Sequence, residues 1–218
     1  MDQLTFQFPF SKKYYEQDFY VSSNNFSAFK LIDSWPNWPG KWLNIFGESG
    51  SGKTHLSKIL EKKINRTKLI DAKNVDDKTI DDLTNLDCLI VDNYNDNISE
   101  NLFYSILNQS KQLDNFILVN SMRSIQKTHF ELHDLHSRIN SFIYIGIGLP
   151  TDELLKVIIS KLLSDKQISV NPKLTGFIIN NVERSYEKMF KFLKELDDLS
   201  LSTGKSININ LIKKVLNR

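Results

Sequence analysis

The residues whose types and spacing best suit chemistry are residues 47–54, which read Gly-Glu-Ser-Gly-Ser-Gly-Lys-Thr. They follow an apolar run and precede a stretch with helical spacing, the setting that the phosphate-binding pattern G-x-x-x-x-G-K-[ST] requires. Glycines there let the backbone N–H groups converge on a polyphosphate at the start of a helix. We therefore predict that the chain binds ADP or ATP. The predicted contacts are Gly47, Glu48, Ser49, Gly50, Ser51, Gly52, Lys53 and Thr54.

Within this pattern, Lys53 is predicted to contact the outer phosphates and Thr54 to hold Mg²⁺ through its hydroxyl group. An acid at the end of a neighbouring strand supports Mg²⁺ in such proteins. Asp92 fits that role, because it ends a run of four apolar residues typical of a buried parallel strand. The alternative is a solvated aspartate at a strand end.

The residue after Asp92 is Asn93. Many related ATPases carry a second acid there, which polarises the attacking water, whereas an amide cannot accept a proton at neutral pH. We therefore expect the chain to bind nucleotide firmly and to be at most a weak ATPase.

Composition and charge exclude several classes of protein. The 218 residues can form one large domain or a domain with a small appendage. With 28 basic and 26 acidic residues the net charge is +2, so we expect no membrane association and no direct sequence-specific DNA binding. The only cysteine, Cys88, lies in an apolar run, which fits a reducing cytoplasm. The first residues show no positively charged leader, so we expect a cytoplasmic protein without a signal peptide.

Short apolar runs alternate with helical patterns up to residue 150, which predicts an α/β fold with a parallel sheet. Strands are predicted at residues 18–21, 42–46, 68–71, 87–93, 116–119 and 142–145, and the first helix at residues 22–35. After Pro150 the pattern becomes helical only. Thr151 is a suitable N-cap, and further helices are predicted at residues 172–181, 185–201 and 209–216. We therefore place a boundary near Pro150, before a small all-α domain.

Arg138 follows a predicted helix and precedes the last predicted strand. A guanidinium group offered from the surface of the sheet domain can stabilise phosphoryl-transfer charge in another subunit's site, the arginine-finger role. A surface arginine in a salt bridge is the alternative.

Other polar residues are weaker candidates. His129, His133 and His136 share a segment, but Mg²⁺ does not favour imidazole ligands and no second group of ligands accompanies them, so we interpret them as surface histidines. Arg184 and Lys188 lie one helical turn apart. Either cation could reach the nucleotide phosphates, and solvent-facing charge explains them equally well.

Residues 3–10 alternate polar and apolar side chains. The pattern fits an edge strand, or a short peptide that docks in a partner's hydrophobic groove. Gln3, Leu4, Phe6 and Phe8 are the candidate anchors of such a peptide.

The P-loop, Asp92, Arg138 and the four predicted C-terminal helices together resemble the DnaA-related AAA+ family. Gly52-Lys53-Thr54-His55-Leu56 is similar to the end of that family's P-loop. Three further features resemble the Hda branch of the family, the regulatory inactivators of DnaA: Gln3-Leu4-Thr5-Phe6, Trp35-Pro36-Asn37-Trp38-Pro39 and Asp92-Asn93.

The resemblance implies three parts: a clamp-binding peptide at residues 1–12, an AAA+ nucleotide-binding core at 13–150 and a helical lid at 151–218. It implies two partners, the DNA polymerase sliding clamp and DnaA, whose ATP hydrolysis Arg138 would stimulate in trans. A homo-oligomer is also compatible with it. Tyr20, Val21, His55 and Lys188 are further candidates for contacts with the nucleotide.

Two positions depart from the family. Met122 stands where the family carries an aspartate after the fourth strand, and Asn120 or Ser121 are possible substitutes. Glu187 falls at the position of the lid arginine, unless Lys188 or Arg184 makes that contact.

Two other functions are compatible with the P-loop. A helicase loader of the same family, or another DnaA-related ATPase, would need a basic groove for single-stranded DNA, which the charge does not favour. A small-molecule kinase would need an arginine-bearing lid, and arginine is scarce here.

Overall fold

The computed structural model describes residues 19–165 and 171–217. The chain divides into two compact units, with the change between Gly148 and Leu149. The proposed anchors Gln3, Leu4, Phe6 and Phe8 lie outside the described residues. No helix among the described residues is both long and apolar enough to cross a bilayer.

The first unit is the predicted α/β fold. Five parallel strands form one sheet in the order β2-β3-β4-β1-β5. The strands are β1 (Trp42–Phe46), β2 (Thr67–Asp71), β3 (Cys88–Tyr94), β4 (Phe116–Ser121) and β5 (Ile143–Gly146). The helices are α1 (Phe26–Asp33), α2 (Lys53–Lys63), α3 (Lys78–Asp82), α4 (Glu100–Gln112) and α5 (His133–Ile139).

Helices cover both faces of this sheet, which is why its central strands are apolar throughout. On one face, Leu43 and Ile45 of β1 pack in a core that includes residues of α1 and α2. On the other face, a second core surrounds Trp42 and includes residues of α4 and α5, among them Phe103 and Leu135. All strands end at the same edge, so the loops that follow β1, β3 and β4 meet there.

The structure corrects two predictions before the sheet. Residues 19–21 form no strand, because the ring of Phe19 stacks on Phe29 of α1 instead of entering the ladder of strands. The first helix is shorter than predicted and begins at Phe26. Asn25 occupies the N-cap position, and its side chain bonds to the segment before the helix, since it accepts the N–H of Ser22 and donates to the carbonyl group of Tyr20.

The second unit contains four helices within its described residues: α6 (Asp152–Ser164), α7 (Pro172–Asn181), α8 (Tyr186–Thr203) and α9 (Ile209–Leu216). The predicted cap of α6 is confirmed, since Thr151 Oγ1 accepts the N–H of Leu154 at 3.2 Å. Its core contains Ile159, Leu196 and Ile212, which are fully buried.

A buried asparagine connects β1 to the chain after β4. Asn44 Nδ2 donates to the carbonyl group of Val119 and to Ser121 Oγ, both at 2.9 Å. Its Oδ1 accepts the N–H of Ile125 at 3.2 Å. Because these partners are buried too, one side chain satisfies three polar groups that have no access to water.

We predict that Asn44→Ala lowers the free energy of unfolding by about 2–4 kcal/mol, because unpaired polar groups would be left in the core. Urea denaturation followed by circular dichroism measures the loss. Asn101→Ala, at an exposed position of α4, is the matched control and should change stability by less than about 0.5 kcal/mol. Equal stability of the two variants would contradict the structural role of Asn44.

Candidate functional site

The loop after β1 has the backbone shape of a phosphate cradle. Gly50 and Gly52 have positive φ angles of 82° and 99°, which favour glycine. A Cβ atom at Gly52 would lie 2.9 Å from the ring of Phe19, so a side chain there would force that ring to move. α2 begins directly afterwards at Lys53, so its free N–H groups and the positive end of its dipole are at the loop. This arrangement suits a polyphosphate.

The side chain of Lys53 lies inside the loop and is only 9% exposed. Its Nζ donates to the carbonyl oxygens of Gly47 and Glu48, at 2.7 and 2.8 Å. Burial lowers the pKa of the Lys53 ammonium group, and the carboxylates of Asp92 and Glu48 oppose that shift. A phosphate group would supply the negative charge that a buried cation favours.

Two polar atoms of the same loop, Ser51 Oγ and Glu48 Oε2, are buried and have no hydrogen-bond partner in the described part of the chain. Buried polar groups normally have one. The Ser51 hydroxyl can donate to a phosphate oxygen, whereas the Glu48 carboxylate calls for a cation or water. The loop therefore fits a phosphate-bearing ligand through Ser51, Lys53 and its backbone N–H groups.

The structure brings the two predicted Mg²⁺ ligands together. Thr54 Oγ1 donates to Asp92 Oδ2 at 2.7 Å. The other carboxylate oxygen, Asp92 Oδ1, accepts from Asn120 Nδ2 at 2.9 Å. Asp92 is 6% exposed. A hydroxyl and a carboxylate beside a phosphate cradle are the oxygen ligands that Mg²⁺ prefers, so these residues fit the ion.

At the end of β4, Asn120 is the side chain that contacts the carboxylate of Asp92. The Oδ1 atom of Asn120 is buried without a partner among the described residues. Ser121 instead donates to the carbonyl group of Arg123. Met122 is 54% exposed. Of the two substitutes that the sequence left open, Asn120 is therefore the one beside Asp92.

Asn93 has a backbone that most residues avoid. Its φ angle is 59°, in the left-handed region that asparagine tolerates, and the pairing of β3 with β4 is irregular between Val91 and Tyr94. Asn93 Nδ2 donates to Asp71 Oδ2 at 2.9 Å. That bond is the main cause of the lowered pKa of Asp71. The position of the second acid thus holds a neutral amide bound to β2.

Sequence reasoning missed Phe19. Its ring lies 5.3 Å from the ring of His55, edge to face, and it covers Gly52. The predicted contacts Tyr20 and Val21 follow it, and Tyr20 is 42% exposed. Phe19 and His55 therefore form an aromatic wall beside the cradle. The apolar residues of this segment were the available signal, but their pattern also fits a strand.

Arg138 lies in the last turn of α5, rather than after the helix as predicted. Its side chain is half-buried, and its Nε donates to Asn108 Oδ1 on α4 at 2.9 Å. No ion pair involves Arg138 within residues 19–165 and 171–217. The guanidinium group is therefore held in place by a neutral partner.

In the second unit the candidate cations are exposed. Arg184 Nη2 lies 2.6 Å from Asp152 Oδ1 at the start of α6. Lys188 Nζ lies 3.9 Å from Glu183 Oε2, and Glu187 is exposed on α8. Such pairs contribute little to stability because solvent screens them.

The three histidines do not form a metal site in the described part of the chain. His129, His133 and His136 are exposed, and no group of three or more His, Cys, Asp or Glu side chains with metal-binding geometry occurs in residues 19–165 and 171–217.

Comparison with known proteins gives a family-model match within each unit. The family model of the Hda lid domain matches residues 157–216, and a model described as RNA helicase matches residues 43–133. An uncharacterised protein of Haemophilus influenzae is 22% identical over 214 residues, which cover 92% of each chain.

Two solved structures share the fold. Domain III of the replication initiation protein DnaA from Thermotoga maritima matches with a TM-score of 0.74 and 20% identity, over 96% of this chain and 98% of that chain. AMPPCP-bound DnaA from Aquifex aeolicus matches with a TM-score of 0.67 and 20% identity, over 89% of this chain and 68% of that chain. The chain therefore shares the α/β AAA+ fold of DnaA domain III, with its parallel sheet and P-loop, and residues 157–216 are similar to the lid domain of Hda.

Proposed function

We propose that the chain is an Hda-like negative regulator of DNA replication initiation. In this proposal it holds a nucleotide, docks on the DNA polymerase sliding clamp through residues 1–12 and stimulates ATP hydrolysis by DnaA in the cytoplasm. The observation that carries the proposal is the state of Arg138, which is half-buried, oriented by the amide of Asn108 and not paired with a carboxylate in the described chain. A cation that is placed but not neutralised suits an arginine finger.

The nucleotide, ADP in this proposal, would serve the chain mainly as a structural ligand. The backbone N–H groups of residues 47–54, Ser51 and Lys53 would bind its phosphates, and Thr54 and Asp92 would hold Mg²⁺, which neutralises phosphate charge when bound. The aromatic wall of Phe19 and His55 offers an apolar surface beside the cradle. Such binding stabilises the folded state by mass action.

The chain's own catalysis would be weak. Asn93 cannot take a proton from water, and its amide is bound to Asp71. Residue 93 therefore supplies no base for the attacking water.

The finger would act on a different nucleotide. Negative charge develops on the transferred phosphoryl group and on the leaving oxygen during hydrolysis, and a fixed guanidinium group stabilises that charge without reorganisation. Arg138 would supply this group to ATP bound by DnaA. Faster hydrolysis would convert DnaA to its ADP form and so prevent repeated initiation.

We predict that Lys53→Ala weakens ADP binding by about 10- to 100-fold, because one charge-assisted contact with phosphate is lost. Isothermal titration calorimetry with Mg²⁺ present measures the affinity. Lys58→Ala is the matched control, because Lys58 lies on the same helix and pairs with Glu61 at 2.8 Å; its affinity should equal that of the wild type. An unchanged affinity in Lys53→Ala would remove the P-loop from the proposal.

We predict that clamp binding and DnaA stimulation separate by mutation. Arg138→Ala should reduce DnaA ATP hydrolysis in the presence of DNA-loaded clamp by about 10³-fold or to the unstimulated rate, because the trans guanidinium is lost. A pull-down with the clamp should remain as in the wild type. Replacing Gln3, Leu4 and Phe6 by alanine should abolish the pull-down.

Arg66→Ala is the control for this experiment. Arg66 is an exposed arginine that pairs with Asp87 at the opposite edge of the sheet from the P-loop. It should leave both activities unchanged. Loss of both activities in Arg138→Ala, or of neither, would contradict the assigned role.

A further inference from the structure

We infer that Asn108 is a positioning residue for Arg138, and that its neutral amide is what leaves the guanidinium charge available to a partner's phosphates. The inference rests on the proposed function of Arg138. It concerns a residue of α4, which is separate from the phosphate cradle.

The contact uses one particular edge of the guanidinium group. Asn108 Oδ1 accepts from Arg138 Nε at 2.9 Å. The Nε–H lies beside the aliphatic stem, so this bond limits rotation of the guanidinium plane. The two Nη nitrogens form the fork that matches a pair of phosphate oxygens, and no carboxylate of the described chain pairs with them. The amide thus fixes the orientation, and the fork has no carboxylate partner in the described part of the chain.

α4 is a rigid support for that amide. Phe103, Ile106 and Leu107 are buried between the helix and the sheet. Asn108 itself is half-buried. An acceptor on such a helix is already ordered, so the bond to Arg138 requires little further ordering of the acceptor.

The same helix also places the backbone of α5. The two carboxylate oxygens of Glu100 accept the N–H groups of Glu131 and Leu132, at 3.1 and 2.8 Å. These residues immediately precede α5, which is anchored by the buried side chains of Leu135 and Ile139. α4 therefore contacts α5 at two points. Glu100 holds the backbone that leads into α5, and Asn108 holds the Arg138 side chain in the last turn of α5.

The side chain of residue 108 is a neutral amide, and a carboxylate there would act differently on Arg138. An aspartate there would have nearly the shape of asparagine and would also accept from Arg138, through a stronger charge-assisted bond. That carboxylate would compete with phosphate oxygens for the guanidinium group. The amide accepts a hydrogen bond without neutralising the cation.

The test compares Asn108→Asp with Asn101→Asp, which adds the same charge at an exposed position of α4. We expect Asn108→Asp to unfold at the same or a higher urea concentration than the wild type. The maximal rate of DnaA ATP hydrolysis should fall about tenfold or more, because the new carboxylate competes with the phosphate oxygens for the guanidinium group. The half-saturating protein concentration should stay within about twofold, since the docking peptide is intact. Asn101→Asp should match the wild type in all three.

A spectroscopic measurement tests the contact without a partner. In a ¹⁵N-labelled sample the Arg138 Nε–H signal, assigned by its loss in Arg138→Ala, should be resolved and protected from exchange, and Asn108→Leu should remove that protection. A signal that exchanges as fast in the wild type as in Asn108→Leu would overturn the inference.

The outcomes separate the inference from the proposed function. If Arg138→Ala reduces DnaA ATP hydrolysis but Asn108→Asp is as active as the wild type, the inference is wrong and the proposed function stands. If Arg138→Ala itself retains full stimulation, the proposed function is wrong and the inference fails with it. Reduced stimulation by a stable Asn108→Asp, with Asn101→Asp unaffected, supports both.

Discussion

The carboxylate of Asp92 joins the elements on which the phosphate site depends. It is 6% exposed and accepts hydrogen bonds from Thr54 at the start of α2 and from Asn120 on β4. A buried carboxylate is costly unless hydrogen bonds and nearby cations compensate. Lys53 is close enough for the charge of Asp92 to raise its pKa against the effect of burial. The requirement to satisfy one carboxylate therefore fixes the relative positions of the P-loop helix and two central strands.

In the proposed function, the side-chain amides of Asn93 and Asn108 determine which nucleotide is hydrolysed. Asn93 follows Asp92 and donates its amide to Asp71, so in the proposed function the chain's own nucleotide lacks a base at that position. Asn108 orients Arg138 without neutralising it. In the proposed function, the first amide preserves the bound nucleotide and the second preserves a cation for another protein's nucleotide. The P-loop helix α2 packs on one face of the sheet, whereas α4 and α5, which carry Asn108 and Arg138, pack on the other.

Most of the fold was predictable because its signals are local. The glycine spacing of residues 47–54, the apolar runs of the strands and the Thr151 cap each act over a few residues. The misses depend on tertiary contacts. Residues 19–21 had the pattern of a strand, but Phe19 instead covers Gly52. The choice of Asn120 over Ser121 depends on which side of β4 faces Asp92. The bond between Asn108 and Arg138 joins residues 30 positions apart, and no periodic pattern indicates such a pair.

The central claim is that the nucleotide held by this chain and the nucleotide on which its arginine acts are different molecules. The most direct test measures phosphate release in a single turnover. The γ-phosphate label is placed either on ATP bound to DnaA or on ATP bound to this chain. Excess unlabelled ATP is added at the start, so that released label does not rebind. We expect rapid release only for label on DnaA, and only when the wild-type chain and DNA-loaded clamp are present. Rapid release of label from the chain itself, or no acceleration of release from DnaA, would contradict the claim.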